Sequence, residues 1–173
     1  MNTEKFNFEL KDTKTPDEVV KEYVSQISEW TKNMVICKVA SYDGYTTSYV
    51  KKSRWSINGE LLRGMQEETV DIQNDLGEQS EIDNKYEVYF SVKGLEHYKY
   101  RIMFMRYGAI SYPVSVVLNE DIAQAYSGKL QYKYEVGSMD ELKEMLEHIF
   151  NTEYCTKLIQ SLIYEAMRQE NKK

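Results

Sequence analysis

One short segment of this chain, YVKKSRW, places three cations between two aromatic residues. Its candidate binding residues are Tyr49, Lys51, Lys52, Arg54 and Trp55. A two-stranded ribbon with such side chains could enter a DNA groove or hold a single strand by stacking, and it could equally contact another protein. An ordinary edge strand that lysines protect against unwanted pairing has the same composition. These three interpretations stay open at the level of sequence.

Histidine limits the kinds of catalysis that the chain could perform, since His97 and His148 are its only two histidines. A Ser–His–Asp or Cys–His site would have to use one of them. We assign His97 to a turn. His148 follows Glu144 by four residues, which would place both side chains on one helix face, as ligands or as part of a solvated charged face. No catalytic constellation emerges, so we expect binding rather than catalysis.

Metal and cofactor chemistry has little support in the sequence. Structural zinc takes four Cys or His ligands at close spacing, whereas Cys37 and Cys155 lie far apart and among apolar residues. The chain also lacks a glycine-rich phosphate loop, a G-x-S-x-G elbow and an H-E-x-x-H helix. An enzyme that uses scattered carboxylates stays an alternative, because 28 acidic residues always place some pair close together. We expect no cofactor and no metal.

Charge and length bound the function further. The net charge of −6 over 173 residues opposes bulk attraction to nucleic acid or to an anionic membrane. The length favours a single domain over residues 1–173. The N-terminal segment lacks the apolar core of a signal peptide, and no run approaches the roughly 18 apolar residues of a membrane span. We therefore expect a cytoplasmic protein that does not contact membranes.

The elements that would position these residues begin with a helix. Thr15 can cap it, Pro16 suits its first position, and Glu18 can complete a capping box. Apolar residues at helical spacing continue to about Lys32. The sequence therefore predicts an N-terminal helix.

A β-meander and an acidic segment are predicted next. The apolar run from Met34 to Tyr42 leads into the turn signal Asp43-Gly44, a return strand over 45–57 and a second turn signal at Asn58-Gly59. Seven acidic residues and no lysine or arginine then occupy residues 67–83. This composition predicts a mobile acidic loop at 67–84.

The second half predicts a second meander and a helical pair. Its strand-like segments are Tyr86 to Val92, Tyr98 to Tyr107, Tyr112 to Leu118 and Leu130 to Val136, with a short helix from Asn119 between the last two. One helix starts at the capping box Ser138–Glu141, and another starts at Asn151 or Thr152. We predict an α+β fold: antiparallel β-meanders of about six to seven strands, with one N-terminal helix and two C-terminal helices packed on the sheet.

The strand over Tyr98 to Tyr107 is apolar on both faces at its centre. Strict alternation places Ile102 and Phe104 on one face and Met103, Met105 and Tyr107 on the other. The helices cover one face only, so the first meander, a second subunit or a partner protein must cover the other. Methionine suits adaptable contact surfaces. Met103, Met105 and Tyr107 are therefore candidate interface residues.

These features favour a non-enzymatic cytoplasmic protein that binds another protein or itself, with a regulatory, inhibitor-like accessory role. The alternative is a small-molecule-binding domain with a tyrosine-lined cavity between the sheet and the C-terminal helices. The order of elements resembles helix-grip folds, in which a curved antiparallel sheet wraps a long C-terminal helix around a ligand cavity. A nucleic-acid-binding β-ribbon is a further alternative, which the net charge of −6 disfavours.

Overall fold

A computed structural model describes residues 9–43 and 84–172. The chain divides into two units, residues 1–42 with 82–173 and residues 43–81, and all the described residues except Asp43 belong to the first. The predicted ribbon, the first hairpin turn from Gly44 onward, the second hairpin turn and the acidic segment as far as residue 83 lie outside the described residues. Whether residues 1–173 form one domain therefore stays a prediction.

The described residues form four helices and five strands. The helices are α1 (Pro16–Trp30), α2 (Glu120–Ser127), α3 (Met139–Phe150) and α4 (Glu153–Glu170). The strands are β1 (Val35–Ser41), β2 (Asn84–Val92), β3 (Leu95–Tyr107), β4 (Val114–Leu118) and β5 (Lys133–Val136). Within residues 9–43 and 84–172, none of the helices has both the length and the apolar composition that crossing a membrane requires.

The strands form one sheet in the order β1-β2-β3-β4-β5, and all neighbours are antiparallel. This confirms the predicted α+β class and the antiparallel sheet. The described residues contain five strands, against the six to seven predicted for the whole chain, and the other predicted strands fall largely or wholly outside them. The short helix predicted from Asn119 forms as α2 between β4 and β5, so the described residues contain four helices, one more than the one N-terminal and two C-terminal helices of the overall prediction.

Local hydrogen bonds explain where the helices begin. Glu18 accepts the Thr15 backbone N–H at 3.0 Å, as the capping box requires. The Ser138 hydroxyl accepts the Glu141 N–H, and the Thr152 hydroxyl accepts the Cys155 N–H, each at 3.2 Å. These bonds satisfy backbone donors that the first helical turn leaves without partners.

The helices lie on one face of the sheet and form the core with it. Phe90 of β2 contacts Phe150 of α3, with ring centroids 6.2 Å apart, and Tyr23 of α1 meets the same ring at 5.5 Å. Helix α1 packs on β1 and α3, and α4 packs on β1 and β2. The Tyr100 hydroxyl of β3 reaches the Tyr154 hydroxyl of α4 at 2.7 Å. The result is a sheet with a helical layer on one side.

A bulge in β3 corrects the predicted assignment of its faces. Val88 pairs with Met103, whereas the next residue, Tyr89, pairs with Arg101, so Ile102 is an extra residue in β3. One extra residue reverses the alternation of side chains beyond it. Tyr100 therefore shares the helix-covered face with Met103, and Arg101 shares the other face with Phe104. Strict alternation predicted the opposite pairing for both.

Candidate functional site

A cleft of about 320 Å³ opens between β5, α2 and α3. Strand β5 supplies Tyr134, Glu135 and Val136, and α2 supplies Tyr126. Helix α3 supplies Glu141, Glu144, Met145 and His148. The lining thus combines three carboxylates, one imidazole and two phenol rings.

The periodicities of the elements bring these side chains together. Alternation along β5 directs Tyr134 and Val136 toward the helical layer. On α3, Glu141, Glu144 and His148 recur at spacings of three and four residues, which places them on one helix face. The opposite face of α3 carries buried apolar residues, among them Leu142, Leu146 and Ile149. The amphipathic pattern that packs α3 on the sheet therefore also turns its carboxylates toward the cleft.

Aromatic rings form one wall of the cleft. The Tyr126 and Tyr134 rings meet edge to face, with centroids 5.2 Å apart, and the His148 ring lies 4.8 Å from that of Tyr126. Burial, followed by the neighbouring Tyr134, raises the pKa of the Tyr126 phenol. This phenol therefore stays neutral at physiological pH. Its ring contributes an electron-rich face, of the kind that attracts organic cations.

Within residues 9–43 and 84–172, the glutamates that line the cleft form no ion pairs with lysine or arginine. Glu141 accepts the Gly137 backbone N–H at 2.8 Å. Among the described residues, no lysine or arginine lies within ion-pairing distance of Glu135 or Glu144. Glu141 and Glu144 lie one turn apart on the face of α3 that borders the cleft, and Glu135 lies at the adjacent edge of β5, so the site favours a positively charged ligand.

A buried hydroxyl adds a polar group without a partner. The Tyr134 hydroxyl is shielded from solvent and makes no hydrogen bond within the described residues. Such a group costs free energy in the folded protein. Because the hydroxyl is shielded from solvent, it is not a contact point for a ligand in the cleft, which the Tyr134 ring lines.

The cleft supports metal binding less than it supports binding of an organic cation. Glu144 and His148 both line the cleft, at the i, i+4 spacing noted in the sequence. In the part of the chain that the structure describes, no three histidine, cysteine or carboxylate side chains converge as metal ligands do. The arrangement instead suits a compact organic cation, which needs carboxylates and an aromatic face rather than a fixed set of ligands.

The opposite face of the sheet holds a second charged cluster, in which charges are matched. Glu87 is 5% exposed and accepts hydrogen bonds from Lys99 and from Arg101 Nε, the latter at 2.8 Å. The Arg101 guanidinium also lies 5.2 Å from the Phe104 ring centroid and 5.8 Å from that of Tyr42. This cluster joins β1, β2 and β3 and leaves no unpaired carboxylate, so we assign it a structural role.

A third polar group anchors α1 to the sheet. The Asp17 carboxylate accepts hydrogen bonds from the Tyr107 hydroxyl at 2.5 Å, the Lys21 ammonium at 2.8 Å and the Thr15 hydroxyl at 2.7 Å. Burial alone would raise the pKa of Asp17, but these hydrogen bonds outweigh it and lower the pKa from 3.8 to about 2. Burial and the bond to Asp17 raise the pKa of Tyr107.

The candidate interface residues from the sequence lie away from the cleft. Met103, Met105 and Tyr107 are buried, with exposures of 1%, 0% and 7%, on the face that the helices cover. Their role as an interface stays a prediction, and we place no proposed contact on them. Tyr49, Lys51, Lys52, Arg54 and Trp55 lie outside the described residues.

The remaining candidates have simple environments. His97 is an exposed residue of β3, which corrects its assignment to a turn. The thiols of Cys37 and Cys155 are free and buried. Burial raises both pKa values, that of Cys155 to about 12, and keeps these groups protonated and unreactive.

Sequence reasoning missed the cleft because its members come from three separate elements. Glu141, Glu144 and His148 were recognisable as one helix face, and Tyr134 as one face of a strand. Nothing local indicated that these faces would lie opposite each other, with Tyr126 between them.

Comparison with known proteins identifies no relative of this chain. No protein-family model, no curated protein and no solved structure matches this chain. Any assignment of function therefore depends on the chemistry of the site.

Proposed function

We propose that this protein binds, without catalysis, a ligand that carries a compact organic cation, either an ammonium or a guanidinium group, in the cleft between β5, α2 and α3. The observation that carries this proposal is the negative charge of Glu141 and Glu144 on the face of α3 that borders the cleft, where Glu144 has no cationic partner among the described residues. By contrast, the buried carboxylates of the described chain, Asp17 and Glu87, do have such partners.

The aromatic wall supports the same ligand class. Carboxylates alone would attract a metal ion or any cation, but a phenol ring adds attraction for an organic cation within about 6 Å of its centroid. Tyr126 presents such a ring beside the glutamates of α3. The two features together favour ammonium and guanidinium groups over simple ions.

The size of the cleft sets a limit on the ligand. At about 320 Å³, it lies at the small end of the range of roughly 300–1,000 Å³ for ligand pockets. That volume suits one side-chain-sized group better than a large cofactor. A lysine or arginine side chain of a partner protein and a free small amine both meet this description.

Both leading expectations from the sequence remain compatible with such a cleft. A protein partner that presents a basic side chain corresponds to the protein-binding role, and a free amine corresponds to the tyrosine-lined cavity beside the C-terminal helices. Nucleic acid gains no support from this cleft, because its carboxylates repel phosphates. Self-association and a cytoplasmic location stay predictions.

Titration calorimetry with two single-residue probes tests the proposal. N-acetyl-lysine methylamide carries the cation, and N-acetyl-norleucine methylamide has the same apolar chain without it. We expect the lysine probe alone to bind, with an affinity that falls as salt is raised. Glu144→Gln should weaken it by about tenfold, which corresponds to the loss of roughly 1.4 kcal/mol.

Glu147→Gln is the matched control, because Glu147 is an exposed glutamate on the same helix that does not line the cleft. It should leave the affinity unchanged. Equal losses in the two variants would show nonspecific attraction to an acidic surface, and equal binding of both probes would remove the cation from the proposal.

A further inference from the structure

We infer that the cation belongs to an extended peptide segment of a partner protein, which adds to the sheet as a strand beside β5 and inserts a lysine or arginine side chain into the cleft. This inference rests on the proposed function and deepens it, because it names the carrier of the cation. It joins two neighbouring features, the outer edge of β5 and the acidic cleft.

Successive residues of β5 direct their backbone groups alternately toward β4 and away from it. Leu118 donates its N–H to the Tyr132 carbonyl at 2.8 Å, so these opposite residues form a hydrogen-bonded pair. In an antiparallel ladder such pairs alternate with pairs that make no bond to each other. Tyr134, opposite Val116, is therefore bonded to β4, and Glu135, opposite Ser115, turns its N–H and C=O away from β4.

Some backbone groups along the described part of this edge already have hydrogen-bond partners. The strand ends where the Gly137 N–H is taken by Glu141, and the Lys133 carbonyl accepts the Gln131 side-chain amide at 3.3 Å. Glu135 lies between these positions and is exposed. The edge thus offers one residue that can exchange two backbone hydrogen bonds with an added strand. A short contact of this kind needs a side-chain anchor as well.

The cleft supplies that anchor. In a sheet, the side chains of neighbouring strands on one face lie side by side. An added strand would therefore direct every second side chain toward the helical layer, next to Tyr134 and Val136, which line the cleft. When a peptide binds by strand addition, main-chain hydrogen bonds commonly give the affinity, and pockets for alternate side chains give the specificity.

Charge selects the occupant of this edge. Glu135, Glu141 and Glu144 would attract a basic strand and repel an acidic one. A second copy of β5 paired along the same edge would bring a second set of these carboxylates close to the first, which charge repulsion opposes. The edge therefore suits a basic peptide better than another copy of this chain.

The test compares the lysine probe with a short β-prone peptide, acetyl-Thr-Val-Lys-Val-Thr-amide, by titration calorimetry. We expect the peptide to bind about tenfold more tightly, because it adds two main-chain hydrogen bonds of modest net strength. Two N-methylated forms then remove donors from one edge of the peptide at a time, one form at lysine and the other at both valines.

Methylation should weaken one form by about tenfold and leave the other unchanged, because a strand directs its alternate N–H groups to opposite edges. Which form is weakened gives the direction of the added strand. In NMR spectra, the Glu135 amide proton should shift downfield with the peptide and not with the lysine probe.

The outcomes separate this inference from the proposed function. If the lysine probe binds but the peptide binds no more tightly, strand addition is wrong and the cation site stands. If both methylated forms bind like the parent, or both are weakened equally, pairing through one edge is likewise wrong. If the lysine probe fails to bind at all, the proposed function fails, and the inference fails with it.

Discussion

Two groups of glutamates in this protein lie in opposite electrostatic surroundings. On one face of the sheet, Glu87 is buried and bonded to both Lys99 and Arg101. At the edge of the sheet, Glu135 and Glu144 border a cleft and have no cationic partner among the described residues. The same side-chain type is therefore internally neutralised in one place and available to a ligand in the other.

The difference indicates that enclosed carboxylates contribute to stability, whereas the carboxylates at the cleft are available for binding. A buried carboxylate is tolerated only when donors surround it, so Glu87 and Asp17 are both enclosed by partners. A carboxylate that solvent still reaches contributes little to folding and can keep its charge for a ligand. We expect substitutions at the enclosed carboxylates to affect stability and substitutions in the cleft to affect binding.

The largest effect should follow the loss of the enclosed carboxylate in the sheet. Glu87→Gln leaves Lys99 and Arg101 without a counter-charge, and we expect about 2–3 kcal/mol of destabilisation. This is below the cost of a fully buried pair because the two cations are 38% and 36% exposed. Urea unfolding followed by circular dichroism measures it. If Glu87→Gln lowers the unfolding free energy no more than Glu144→Gln does, the proposed difference between enclosed and cleft carboxylates is wrong.

The second enclosed carboxylate, Asp17, should make the stability of the protein depend on pH in the acidic range. Because the pKa of Asp17 is lowered from 3.8 to about 2, its contribution of roughly 2 kcal/mol is present above pH 4 and is lost as the pH falls through 2. The difference in unfolding free energy between the wild type and Asp17→Asn should therefore shrink from pH 5 to pH 2. A difference that stays constant over that range would show that the charge of Asp17 is not what stabilises α1.

Tyr107 and Tyr134 allow the same comparison between a group with an internal partner and a group without one among the described residues. Tyr107→Phe removes a hydrogen bond to a buried carboxylate and should cost about 1.5 kcal/mol. Tyr134→Phe removes a buried hydroxyl that has no partner among the described residues, so it should leave stability unchanged or slightly higher. Thermal unfolding of both variants measures the difference, and a larger loss for Tyr134→Phe would show that its hydroxyl is bonded in solution.

The smallest effect on stability is expected in the cleft itself. Glu135→Gln and Glu144→Gln each remove one of three neighbouring negative charges, so we expect changes within about 0.5 kcal/mol of zero. The same urea titrations measure these changes. Destabilisation above 1 kcal/mol in either variant would place that residue among the structural carboxylates and weaken the proposed binding role.

Much of the fold was predictable from local patterns. The helix starts at Thr15, Ser138 and Thr152 were all indicated by capping residues, and the structure confirms them. The segment Met34 to Tyr42 was also predicted as a strand, and it forms β1. Its place at the edge of the second-half sheet, paired with β2, was not predicted, because a partner far away in sequence leaves no local signal.

The candidate site was less predictable than the fold. Strict alternation along β3 failed at Ile102, where one extra residue exchanges the faces of Tyr100 and Arg101. The Asn119 N–H donates to the Ile102 carbonyl at 2.8 Å, so the N-cap residue of α2, which follows β4, bonds the bulged backbone. A bulge fixed by such a contact could not be foreseen from the alternation of β3 alone.

The sequence by itself determined the elements, because helix caps and apolar periodicity depend on groups within a few residues of each other. Tertiary structure alone decided which charges are matched. Glu87 meets Lys99 and Arg101 because β2 pairs with β3 and the bulge at Ile102 brings these two cations to the face of Glu87. Glu144 and Tyr126 share the cleft only because α2 and α3 converge beside β5. Electrostatic and aromatic contacts act through space, so the positions of whole elements decided where the acidic cleft forms.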